Sequence, residues 1–91
     1  MFTVLLDKER HAKVTNTAIK LYKEKTGKDI LKLQDGENID LTDVETLLWV
    51  CLLREDPNLT LEQVQNEVEL FQLKQFIAYF AEGKQPENFT Q

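Results

Sequence analysis

The chain of 91 residues holds one cysteine, one histidine, three glycines and two prolines. Cys51 has no second cysteine to pair with, which excludes an intrachain disulfide and makes a reducing interior the simplest compartment. His11 is the sole histidine, so a metal site built from several imidazoles is excluded. Gly36 stands apart from the other glycines, so the chain has no glycine-rich loop to cradle a phosphate. The longest apolar run, "LLWVCLL" from Leu47 to Leu53, is seven residues, far short of the roughly 20 that a membrane span needs. The opening "MFTVLLDKER" sets its basic residues after a short apolar stretch, the reverse of a secretion signal. "NLT" at Asn58 and "NFT" at Asn88 match the glycosylation pattern, and without an export signal both are read as chance. A single cytosolic domain is the expectation.

Charge is plentiful but unevenly placed. The net value is −5. Residues 1–32 carry eight bases against four acids, net +4, while residues 33–91 carry three bases and twelve acids, net −9. Such a split steers assembly, within the chain or head-to-tail between copies, and self-association through opposite charge is therefore expected. The plainer reading is that lysines coat one solvated helix and carboxylates another.

With so few glycines and prolines, each one punctuates the chain. "TNTAIKLYKEKTG" reads as a helix capped by Thr15 or Asn16, with Ala18, Ile19 and Tyr22 on one face and Gly27 ending it left-handed. "KDILKL" adds an apolar turn (Ile30, Leu31, Leu33), and "QDGENID" reads as a loop. In "LTDVETLLWVCLLRED", Thr42 and Glu45 form a capping box. Val44, Leu47, Leu48, Cys51 and Leu52 define the inner face, widened by Trp49, Val50 and Leu53. Arg54 suits the last turn, and Pro57 disfavours helix at Asp56. Thr60 and Gln63 repeat the capping box, with Leu59 and Val64 as a staple. Beyond them Leu61, Val64, Val68 and Phe71 form one stripe and Leu70, Leu73, Ile77 and Phe80 another. The two point about 170° apart, so a break between Asn66 and Leu70 is expected. "FTVLL" and "HAKVT" pair as a hairpin across "DKER", or else form an extended arm. The fold class is mainly α: a four- to five-helix bundle over residues 1–83, with 84–91 a flexible tail.

Catalytic patterns are missing. Asp35, Glu37, Asp40, Asp43 and Glu45 resemble a calcium loop, yet counting from Asp35 the sixth and twelfth positions hold Asp40 and Thr46 instead of glycine and glutamate. Cys51 reads as a packed small hydrophobe and His11 as a surface residue. No cofactor and no enzymatic activity are expected. Lys20, Lys23, Lys25 and Lys28 could meet phosphates, but the sequence pI near 4.8 argues against nucleic acid as a partner. Aromatic residues remain. Phe76, Tyr79 and Phe80 cannot all share the narrow stripe of Leu73 and Ile77, so some apolar surface should be left for a partner. The expected contact residues are Trp49, Leu53, Phe76, Tyr79 and Phe80.

Two segments, "TNTAIKLYKEKTGKDILKL" and "DLTDVETLLWVCLLREDPNLTLEQV", are joined by an acidic loop. Together, over about residues 14 to 65, they resemble the small tail assembly chaperones of long-tailed, siphovirus-type phages and prophages. The resemblance is strongest in "LLWVCLLREDPNLTLEQV", while "LYKEK" departs from a more carboxylate-rich family segment. It implies a helical protein that coats the tape measure protein, keeps it soluble and helps recruit tail tube subunits. Such a protein works in the cytoplasm of the bacterial host and is absent from the mature virion. It also implies a longer form made by frameshifting, for which Gly83-Lys84 could be encoded by a slippery run. The alternative is a small helical regulator that binds nucleic acid or an antitoxin-like partner.

Overall fold

The computed structural model describes residues 1–30 and 40–82. Two strands, β1 (Phe2–Leu5) and β2 (Glu9–Ala12), precede four helices: α1 (Asn16–Thr26), α2 (Leu41–Leu52), α3 (Leu61–Glu67) and α4 (Leu70–Glu82). The described chain is thus mainly helical with an N-terminal antiparallel hairpin. The expected turn at Leu31 and Leu33, the loop around Gly36 and the expected tail over 84–91 lie outside the described residues.

The central helix is α2. Seven of its residues are buried (Val44, Thr46, Leu47, Leu48, Val50, Cys51 and Leu52), and α1, α3, α4 and β2 all pack against it. The apolar run is therefore covered mostly by its own chain. Burying each such leucine contributes about 1.5–3 kcal/mol. The one buried hydroxyl on this helix is satisfied locally, Thr46 Oγ1 donating to the Thr42 carbonyl at 2.9 Å.

Helix ends follow local chemistry. Thr15 Oγ1 accepts from the Ala18 amide at 3.1 Å, and Thr60 Oγ1 from the Gln63 amide at 3.1 Å. Gly27 closes α1 at φ 72°, a left-handed conformation that glycine adopts without steric cost. The start of α2 departs from expectation. Asp40, not Thr42, is its cap, its carboxylate accepting from the Thr42 amide at 2.8 Å. A carboxylate two residues before an exposed amide competes well with a hydroxyl, and its charge suits the helix dipole. The helix also stops at Leu52, which leaves Arg54 beyond its last turn. The break between α3 and α4 falls where the diverging stripes place it: Val68 is extended, with ψ 135°.

The hairpin forms with a different second strand from "HAKVT". Phe2 pairs with Ala12 and Val4 with Arg10, while Val14 follows the strand and packs half-buried against the core. Phe2, Val4, Arg10 and Ala12 are the inward residues of the two strands. A buried arginine opposite a buried valine sets this register, and its cause lies in the loop after α2.

Candidate partner-binding surface

Arg10 is 4% exposed. Its Nε and Nη2 donate to the Asp7 carboxylate at 3.0 and 3.2 Å, and Nη1 donates to Asp56 at 3.0 Å. Beside it the His11 amide donates to Glu55 Oε1 at 3.1 Å, and His11 Nδ1 lies 2.9 Å from Glu55 Oε2. The Lys13 amide donates to the Cys51 carbonyl at 3.3 Å, taking up a carbonyl left open by the end of α2. The acids of "REDP" thus clamp β2 onto the end of the central helix. The concavity lined by Lys8, Glu9, Arg10, Glu55 and Asp56 is a structural joint whose arginine is already engaged.

Hydrogen bonds from Arg10 hold the Asp7 and Asp56 carboxyls below their usual range, and the bond from His11 does the same for Glu55. Groups with lowered folded values add stability above the unfolded carboxylate pKa of about 4, and that stability is lost as pH falls through the folded values. Thermal midpoints should therefore drop as pH is lowered from about 5. Arg10→Met should flatten that acid limb, which melts of both proteins across the pH series will check.

Trp49 and Leu53 sit half-buried at the margin of α2. The indole of Trp49 is already engaged: Nε1 donates to the Leu59 carbonyl at 2.8 Å, and Lys25 Nζ stands 5.5 Å from the ring centroid. Cys51 is a core residue at 1% exposure, and burial pushes its thiol up to about 12. Only the thiolate is nucleophilic, so iodoacetamide at pH 8 should leave Cys51 unmodified in the folded protein and label it fully in denaturant. Mass spectrometry reads the difference.

Under the hairpin lies an aromatic cluster. The Phe2 and Phe76 centroids are 5.1 Å apart, Phe2 and Tyr79 5.5 Å, and Phe76 and Tyr79 6.2 Å. Phe76 is fully buried, so its expected role as a partner contact is corrected: β1 covers it with Phe2. Tyr79 and Phe80 are half-buried and pack against the core. The structure thus joins Phe76 to Tyr79, whereas Trp49 has its own neighbours, Leu59 and Lys25.

The most exposed large apolar side chains among the described residues lie elsewhere. Leu5 is 60% exposed, Leu70 53% and Phe71 66%. Gln72, next after Phe71, ties the start of α4 to β1, its side-chain amide bonding both the amide and the carbonyl of Leu5, at 2.7 and 2.9 Å. In the sequence Phe71 shares a stripe with Leu61, Val64 and Val68. Once the chain breaks at Val68, the phase of α4 is set by Leu73 and Phe76, and Phe71 lies about 200° from Leu73 around the helix. That offset is the signal that could have found it. Glu67 and Glu69, both exposed, flank this apolar end.

The lysines are less available than the sequence implies. Lys28 pairs with Asp43 at 2.8 Å, and Lys25 covers Trp49, which leaves Lys20 and Lys23 exposed on α1. Among the described residues, no group of three or more His, Cys, Asp or Glu could hold a metal ion. No described helix is long and apolar enough to cross a membrane. A scan of protein-family models and searches of curated proteins and of solved structures gave no match to this chain.

Proposed function

We propose that this protein is a phage tail assembly chaperone, which binds the tape measure protein, keeps it soluble and helps recruit tail tube subunits. The observation that carries the reading is the exposed apolar start of α4, Leu70 and Phe71, followed by Gln72, whose side chain is bonded to the exposed Leu5 of β1. An amphipathic helix buries its apolar stripe on such a surface through anchors at helical spacing. The acids Glu67 and Glu69 favour stretches with basic flanks, and the net charge of −5 keeps a loaded complex dispersed. The "LLWVCLLREDPNLTLEQV" resemblance supplies the client: a very long, partly apolar helix that needs cover until the tube closes round it. The protein then acts in the host cytoplasm and leaves before the virion is complete.

Co-expression with a phage tape measure protein tests this. The long protein should be largely insoluble alone and soluble, in a complex, when co-expressed. A tape measure protein equally insoluble in both cases counts against the reading. Salt-sensitive binding of this protein to duplex DNA, with no effect on the client, would favour the regulator instead. The proposed longer product is decided by the codons for Gly83-Lys84 and by whether the shifted frame stays open.

A further inference from the structure

Residues 61–82 contain no glycine and no proline, yet the chain leaves the helix between α3 and α4. Val68 is extended at φ −80° and ψ 135°, and the Glu69 carbonyl opens the next helix by accepting from the Gln72 and Leu73 amides at 2.9 and 3.1 Å. Nothing local requires this. Sharp interruptions of a helix normally carry proline or glycine, whereas valine and glutamate both sit inside helices at modest cost. The bend also gives up main-chain bonds, because the first amides of α4 have no carbonyl of their own helix to meet. What holds it is tertiary packing. Val64 is buried on α3, which packs on α2, while Leu73 and Phe76 are buried on α4, which packs on α2 and β1. In one straight helix these two sets point about 170° apart, and a single core takes only one of them.

Two cores take both. We propose that α3 and α4 straighten into one helix and that two copies exchange α4, giving a two-fold, domain-swapped dimer. The occupant of the vacated place is set by what leaves it. It must bring a phenylalanine ring to 5.1 Å from Phe2 and a side-chain amide that bonds both the amide and the carbonyl of Leu5, as Phe76 and Gln72 do in the monomer. The α4 of a second copy brings both unchanged. The exchange therefore remakes the contacts of α4 and regains the helical bonds across Val68 and Glu69, and being reciprocal it closes at two copies. Straightening also accounts for Phe71. This ring is 66% exposed in the bent chain, but along a straight helix it falls within about 20° of Val64, which α3 buries completely. The swap does not rest on the tail-assembly reading, and it needs no attraction between opposite charges.

Incubation at millimolar concentration in mild urea, which lets α4 undock, followed by dilution and size-exclusion chromatography, tests it. The wild type should yield a dimer that outlasts dilution, because reversal requires Phe76 to leave a core again. Leu70→Pro puts proline at the first position of α4, where the bent chain tolerates it, and in the interior of the straight helix, which it breaks. Its dimer should be at least ~100-fold weaker, while the melting temperature of its monomer stays essentially unchanged. A second arm reports the exchange itself. Leu5→Cys chains and Gln72→Cys chains, mixed, incubated together and oxidised, should be joined by a 5–72 disulfide in excess over 5–5 and 72–72, as read by mass spectrometry of the linked peptides. Cys51 is buried and stays out of the reaction. A wild type that remains monomeric throughout, a dimer equally abundant in Leu70→Pro, or the three disulfides in the proportions of random collision overturns the proposal.

Discussion

Leu48→Ala should lower the unfolding free energy by about 2–5 kcal/mol, the range for deleting a buried leucine side chain without full collapse of the cavity. Leu48 is fully buried in the middle of α2, the helix on which α1, α3, α4 and β2 all pack. Neighbours fixed by so many elements have little freedom to close the hole, which places the cost toward the upper part of the range. Small domains have only about 5–15 kcal/mol in total, so the variant should melt far earlier or populate unfolded chains at 37 °C. Urea titration with Trp49 as the probe gives the value. An unchanged midpoint would mean that α2 presents a different face to the core.

Phe76→Ala should cost about 3–5 kcal/mol, and this result separates a core residue from a contact residue. Phe76 is enclosed by Phe2 and Tyr79, and it is the main aromatic link between the hairpin and α4. Its loss should loosen β1 first, so hydrogen exchange in residues 2–5 should rise more than in α2. Were Phe76 a partner contact instead, its removal would leave stability intact and weaken binding only. Phe71→Ser makes the opposite pattern visible. At 66% exposure it should change stability by less than about 0.5 kcal/mol, as surface substitutions do, while weakening client binding.

Much of this architecture was legible because it depends on short-range chemistry. Thr15, Thr60 and Gly27 are caps that act within three or four residues, and each stands where the spacing placed it. The break at Val68 followed from two stripes that no straight helix could bury together. Less was legible wherever a distant partner decided the outcome. Arg10 lies in a run that reads as a polar turn, and its burial is made tolerable by the nearby Asp7 together with Asp56, far along the chain. That burial in turn shifts β2 away from "HAKVT". Asp40 displaced Thr42 as a cap because two competent groups stood side by side, and spacing alone does not rank them. The contact surface was the hardest part. Phe76 and Phe71 look equally exposed to chance in the sequence, and only the position of β1 over α4 buries one and leaves the other outside.

That outside face is the centre of the functional proposal, and position 71 samples it directly. A photo-reactive phenylalanine analogue placed at residue 71, in a cell assembling phage tails, should crosslink to the tape measure protein. The same analogue at Glu62, on the exposed side of α3, should give little or none. The proposal requires a position-71 adduct whose mass matches one copy of this chain on the long helical protein, present before tubes form and absent from finished particles. No adduct at 71, or an adduct to nucleic acid or to an unrelated protein in place of the tape measure, would contradict it.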